Sequence, residues 1–400
     1  MIAEKDGSAG VELAAVERWS DSLGELHARI ARRFRRPEVA GRARRYLAGL
    51  LGHVGRRNGW QMAEAIGEDG PQGVQRLLNS ARWDADEVRD DLRSFVFEHL
   101  GDEESGVLVV DETGFLKKGE KSVGVARQYT GTAGRTENSQ VGVFAVYASS
   151  KGAAFVDRAL YLPREWAEDE ERRAEAGVPE EVRFATKGEL AREMLERAFE
   201  AGVPARWVVA DTVYGTARGL RGWLEERGRP YVMAVTGTHG VHREGRQRQA
   251  WTVARDLPAE SWVRASAGAG SKGERLYDWA CLALSGASAE DEAGRWLLVR
   301  RNIADPSELA YYLAYGPRET PVGELVRVAG RRWAIEDCFE QAKGEVGLDE
   351  YEVRRWDGWH RHVTLSLLAH AYLAVLRSAT EREGGDDAKG GTSGRVLAPS

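Results

Sequence analysis

Cysteine is nearly absent: Cys281 and Cys338 are the only two in 400 residues. That is too few for a disulfide framework or a thiolate zinc site, and it fits a reducing cytoplasm. Long apolar runs are missing too, none approaching the roughly 20 residues of a membrane-spanning helix, so no membrane partner is expected. Met1-Ile2-Ala3-Glu4-Lys5-Asp6 lacks the apolar core of a signal peptide. His239 and His242 stand in a polar stretch without a cysteine partner, so they read as solvated and not as metal ligands. Lysine, isoleucine and asparagine are scarce beside alanine, arginine and glycine, the imprint of a GC-rich bacterial genome. The net charge of −6 argues against a nucleic-acid partner when taken as a sum. How the charge is distributed matters more.

Two short stretches organise the chain, Val107-Leu108-Val109-Val110-Asp111 and Trp207-Val208-Val209-Ala210-Asp211. Each is an apolar, mostly β-branched run that stops on an aspartate, as a strand buried on both faces would. Taken alone, each aspartate reads first as the cap of whatever follows. In one sheet the two strands would bring Asp111 and Asp211 together. Paired carboxylates repel unless a cation lies between them, usually a divalent metal.

Residues 1–20 read as a flexible lead-in and 21–104 as a helical domain. Within it, 29–57 holds Arg29, Arg32, Arg33, Arg35, Arg36, Arg42, Arg44, Arg45, Arg56 and Arg57 against the single acid Glu38. Charge runs on solvated helix faces usually mix signs, so one sign predicts phosphate contact. Asn58-Gly59-Trp60 is a weak signal for the entry to a helix-turn-helix. From 105 to 236 the order is strand, hairpin (Gln140–Ala148 with Ala153–Leu162), helix, strand, helix, strand, which is the order of an RNase H-like core. The loop after the first strand carries Lys117 and Lys118, and 165–181 reads as an acidic solvated insertion.

A β-rich insertion is expected over 237–321. Its Gly268-Ala269-Gly270-Ser271-Lys272-Gly273 matches a dinucleotide fingerprint in form only. That fingerprint must open a helix, whereas the residues from Arg275 read as the return strand of a hairpin. Trp251, Trp262, Trp279 and Trp296 should mostly be core. Trp251 follows Arg243, Arg246 and Arg248 and is the one expected to stand exposed. Core helices return over 322–380, and 381–400 reads as a disordered tail.

One continuous helix is expected from Gly323 to Val346. At 3.6 residues per turn it puts Arg332, Glu336 and Lys343 on one face, with Leu325, Val328 and Ile335 on the other. Alone, an Arg–Glu pair at i, i+4 is only a weak helix stabiliser. An aspartate ending the first strand, a second after a later strand and a glutamate on a late helix form the DDE pattern. The spacing Arg332-x3-Glu336-x6-Lys343 resembles the end of the Tyr-Arg-Glu-Lys signature of bacterial insertion-sequence transposases of the DDE superfamily. Asp111-Glu112-Thr113-Gly114-Phe115, Ala210-Asp211-Thr212-Val213-Tyr214-Gly215, Arg332-Trp333-Ala334-Ile335-Glu336 and Gly347-Leu348-Asp349-Glu350-Tyr351 are similar to the same family.

The resemblance implies an α/β fold, a mixed-sheet RNase H-like core with an N-terminal helical domain and a β-rich insertion. It also implies cleavage and strand transfer at insertion-sequence ends by a transposase associated with the nucleoid. Asp111, Asp211 and Glu336 would be the catalytic residues and would hold two Mg²⁺ or Mn²⁺ ions. Arg332, Lys343, Arg32, Arg33, Arg35, Arg36, Lys117 and Lys118 would contact DNA phosphates, and Trp251 could stack on a base. The partners would be double-stranded DNA and a second copy of the chain. Two departures stand out: Ala329 occupies the place of the signature tyrosine, and Glu112 stands where a second aspartate is expected. A DNA-binding relative that no longer cuts, and a plain structure-selective nuclease, are also compatible with these residues.

Overall fold

The structure, a computed structural model, describes residues 21–270, 273–285 and 292–390, with side chains placed through Arg382. The expected lead-in and the end of the expected tail lie outside the described residues. The helical region is built from α1 (21–31), α2 (Pro37–Leu51), α3 (Gly59–Ala65), α4 (Gln72–Asn79) and α5 (Ala85–Leu100). Asn58 caps α3 by accepting from the amides of Trp60 and Gln61. Asp84 caps α5 in the same way.

Strands β1 (Val107–Leu116), β2 (Ala126–Thr130), β3 (Arg135–Ser149) and β4 (Gly152–Tyr161) follow. After them come the short α6 (Arg164–Ala167) and α7 (Glu170–Ala176), which lie in the stretch read as an acidic solvated insertion over 165–181. Helix α8 (Lys187–Glu200) starts on a full capping box between Thr186 and Glu189. It leads to β5 (Trp207–Ala210), α9 (Thr212–Gly215), α10 (Arg218–Glu226) and β6 (Tyr231–Val235). Strands β4, β3, β1, β5 and β6 are neighbours in that order. The first pairings are antiparallel, and β1–β5 and β5–β6 are parallel. This is the RNase H-like order. On the edge away from β1 the long β3 serves two neighbours, β2 along its first part and β4 along the rest.

The stretch expected as an insertion is not a separate small sheet. Only β7 (Gly240–Arg243) and β8 (Arg246–Gln249) form a ribbon of their own, leading into α11 (Ala250–Arg255). Strands β9 (Val263–Gly270), β10 (Gly273–Ala283), β11 (Ala293–Arg301) and β12 (Leu309–Pro317) extend the core sheet. The join is β12, antiparallel to β6 from Tyr311↔Val235 to Tyr315↔Tyr231. One sheet of ten strands results. As the expected return strand requires, β10 pairs antiparallel with β9, Gly273 opposite Gly270.

The chain ends in α12 (Val322–Gly330), α13 (Trp333–Val346) and α14 (Trp356–Gly390). No run long enough to cross a membrane was expected. In fact Trp356–Arg382 is long and apolar enough by length and composition, with a mean hydropathy of 1.3. Its surroundings are protein: α14 packs on β4, α5, α13, α4 and α2, and 67% of that window is buried. Its middle, 361–372, is buried throughout, and a helix covered there on all faces is apolar all round for the same reason a membrane span is. It also runs on through Gly390, into the expected tail.

Candidate active site

The parallel ladder between β1 and β5 runs from Val107↔Trp207 to Val110↔Ala210, and Asp111 and Asp211 are the next residue on each strand. The strands do not end alike. Asp111 does not terminate β1, which continues to Leu116 because β3 goes on pairing with it, Asp111 facing Phe144. Strand β5 stops, and Asp211 caps α9, its Oδ1 accepting from the Val213 amide at 2.9 Å. The two strands part at their carboxyl ends, the place where open α/β sheets bind ligands.

Burial, with Asp211 alongside, pushes the Asp111 carboxyl up to about 8; Arg332 acts the other way. Burial and Glu112 raise that of Asp211. Each shift reports carboxylates forced together out of water with too little positive charge between them.

The expected helix from Gly323 to Val346 is two helices, α12 and α13, broken at Arg331 and Arg332. Just before the break, at Gly330, an added Cβ would sit 1.9 Å from the carbonyl oxygen of Ala267 in β9, so the end of α12 is packed hard on that strand. Arg332 stands at the N-cap position of α13 without a side-chain cap bond, and its Nη1 still meets Glu336 Oε1 at 2.7 Å. Burial would lower the Arg332 guanidinium, but Glu336, Tyr312 and Asp111 outweigh it. Lys343 does not join this pair. Its Nζ donates to Thr113 Oγ1 of β1 at 2.8 Å, pinning the far end of α13 to the strand that carries Asp111.

Asp111 and Asp211 are therefore brought together, with Arg332 in their field, while Glu336 is turned onto Arg332 with its side chain 48% exposed. Among the described residues no three His, Cys, Asp or Glu side chains close into a metal-holding group. The two aspartates, all-oxygen and electrostatically frustrated, fit a hard divalent cation. Glu336 would complete the set only by leaving Arg332.

What supports the two aspartates was not foreseen from the sequence. Glu112, beside Asp111, accepts from Lys187 Nζ at 2.7 Å and from the Tyr214 hydroxyl at 2.6 Å. Tyr214 is fully buried and Lys187 opens α8, so Glu112 ties three elements together beneath Asp111 and Asp211. A signal was present in the Asp211-x2-Tyr214 spacing, which sets the phenol one turn past the aspartate. Gly215, next to it, has no room for a side chain: a Cβ would lie 1.8 Å from the Ala234 carbonyl oxygen.

The arginine-rich stretch is less basic in space than in sequence. Arg32 and Arg33 both bind Asp91, at 2.8 and 2.7 Å. Arg29 binds Glu98, Arg42 and Arg45 share Glu68, and Arg57 is buried on Glu350. The compensating acids lie outside 29–57, where counting within the segment does not find them. Arg35, Arg36, Arg44 and Arg56 are exposed and make no ion pair among the described residues. Lys118 is also exposed, whereas Lys117 lies 3.5 Å over the Tyr351 ring, and burial lowers its ammonium to about 8. Trp251, 40% exposed at the start of α11, stands out from Trp262, Trp279 and Trp296, which are half-buried or buried.

A family model described as DDE superfamily endonuclease matches residues 25–260, and one described as transposase DDE domain matches 185–372. The chain belongs to the DDE superfamily endonucleases, among the insertion-sequence transposases. Among its relatives is a probable transposase for insertion sequence element IS701 from Microchaete diplosiphon. The two are 27% identical over 322 residues, covering 77% of this chain and 75% of that one. Of solved structures, the NurA nuclease from Sulfolobus solfataricus aligns over 62% of this chain and 81% of its own. The two share 10% identity, with a TM-score of 0.27.

Proposed function

We propose that this chain cuts DNA at the ends of an insertion sequence and joins the freed 3′ end to target DNA, with divalent metal at Asp111, Asp211 and Glu336. One observation carries the reading. Asp111 and Asp211 lie half-buried and adjacent where β1 and β5 part, with the Asp111 carboxyl raised to about 8, an arrangement that calls for a cation. Two Mg²⁺ or Mn²⁺ ions, when bound, supply Lewis acidity to the attacking and leaving oxygens of an in-line displacement.

The remaining work falls to the chain. Asp111 and Asp211 hold their carboxylates on rigid strand ends. Arg332, released from Glu336, presents a planar fork to the phosphate, and Lys343 neutralises charge beside Thr113. Arg35, Arg36 and Lys118 are free to meet flanking phosphates. Arg32, Arg33 and Lys117 serve first to hold the fold, and the exposed ring of Trp251 is available for base stacking. Two DNA ends require at least two protomers, so a homodimer forms in the synapse, and the protein acts on nucleoid DNA in the cytoplasm.

The test is nicking of supercoiled plasmid in Mg²⁺ by Asp111→Asn, Asp211→Asn and Glu336→Gln. Each should abolish nicking and leave DNA binding within a few-fold. Full activity in any one removes that residue from the site. A second reading, DNA binding without cleavage, draws on the Glu336–Arg332 pairing; a wild-type chain that binds DNA and never nicks it would establish that reading instead.

A further inference from the structure

We propose that Arg275 and Arg300, on the extension of the sheet, are DNA-phosphate ligands that continue the cleavage site along the bound strand. This rests on the reading of Asp111, Asp211 and Glu336 as a DNA-cleaving site. Trp333, next to Arg332 at the start of α13, lies parallel to Tyr277 of β10 (8°, ring centroids 6.4 Å apart). Three guanidinium groups surround this pair of rings. Arg300 of β11 is 4.4 Å from the Tyr277 centroid and 5.5 Å from that of Trp333. Arg275 is 4.6 Å and Arg332 is 5.7 Å from Trp333.

The cluster is continuous with the carboxylate site. The buried Tyr312 of β12 packs on Trp279 of the same face, and its phenol feels Arg300, Arg332, Tyr277 and Glu336 together. A strand whose scissile phosphate reaches Asp111 passes Arg332, and Arg300 and Arg275 extend that line of positive charge onto the sheet.

The pattern of ion pairing separates a binding surface from a structural one. On the opposite face of the same strands, Arg264 and Arg301 are both neutralised by Asp278, at 3.0 and 3.3 Å. On the Trp333 face, Glu336 satisfies Arg332. Arg275 and Arg300 make no ion pair and no side-chain hydrogen bond among the described residues, although both are half-buried. Stacking on aromatic rings offsets part of the cost of holding such cations together. It also fixes the guanidinium planes, leaving their edges for an anion that a planar fork can grip bidentately. A polyanion lying along the surface supplies such anions in series.

The experiment uses the full chain, a fluorescein-labelled random-sequence duplex and EDTA, with affinity followed by anisotropy as salt is varied. Arg275→Gln with Arg300→Gln should weaken binding several-fold and flatten the slope of log K against log salt by roughly 0.9 for each phosphate no longer neutralised. The corresponding Lys pair should restore most of the slope. As a second measurement, phenylglyoxal labelling of the wild-type chain read by mass spectrometry should show Arg275 and Arg300 protected by the duplex. An unchanged slope in the folded Gln pair overturns the inference. If that pair fails to fold, absence of protection in the wild type overturns it. A wild-type chain that binds no duplex at all would sink the cleavage reading itself. A chain that binds and nicks while both arginines stay unprotected sinks only this inference.

Discussion

The carboxyl of Asp111 gives the molecule a pH signature that can be read without an activity assay. Its folded value, about 8, lies far above the ordinary range near 3.9 for an unfolded aspartate. The folded chain therefore binds this proton more tightly than the unfolded one. The stability it contributes is complete below about pH 4 and is lost as the pH rises toward 8. Thermal unfolding of metal-free protein should show this decline. Asp111→Asn should remove that component of it, whatever the other groups contribute. Adding Mg²⁺ at pH 8 should raise the melting temperature of the wild type and leave that of Asp111→Asn nearly unchanged. Equal Mg²⁺ responses in the two proteins would detach the ion from this residue.

The break between α12 and α13 matters because it orients Arg332 and Glu336. Leu325 and Val328 of α12 are fully buried, and α12 lies so close on β9 that position 330 must be glycine. Gly330→Val should force α12 away from the Ala267 carbonyl and cost about 1–3 kcal/mol, as overpacking does. Urea unfolding would measure that loss. Nicking should fall by more than the loss of folded protein explains, because Arg332 and Glu336 move with the corner. Unchanged nicking at the same folded fraction would mean that the corner does not set their position.

At the scale of the whole chain, one buried carboxylate joins the helical region to the sheet. Asp157 of β4 is fully buried. It meets Arg93 of α5 at 3.0 Å, Arg197 of α8 at 2.9 Å and Arg89 of α5 at 3.5 Å. Burial alone would raise its carboxyl, but Arg89, Arg197 and Arg93 outweigh burial and hold it low. Asp157→Ala leaves those arginines without their shared partner and should cost about 3–5 kcal/mol, measured by denaturant unfolding. A loss within experimental scatter of zero would show that the arginines find other partners, Asp86 and Asp90 being at hand.

Local rules made the strand interiors legible. Val107–Val110 and Trp207–Ala210 are apolar because neighbours cover both faces, and β6 (Tyr231–Val235) is the strand that closes the order read over 105–236. The pairing of Asp111 with Asp211 followed from the order of elements, since two consecutive inner strands of one parallel ladder place equivalent ends together. The Arg332–Glu336 contact followed from helical spacing, which survives within the first turn of α13. Long-range proximity, in contrast, leaves no local trace. Glu68, Asp91 and Glu98 neutralise arginines read as free, the end of α12 is held at Gly330 against a strand distant in sequence, and β12 joins an apparent insertion to the core sheet. In each case the deciding partner belongs to another element, and only the folded chain brings it within reach.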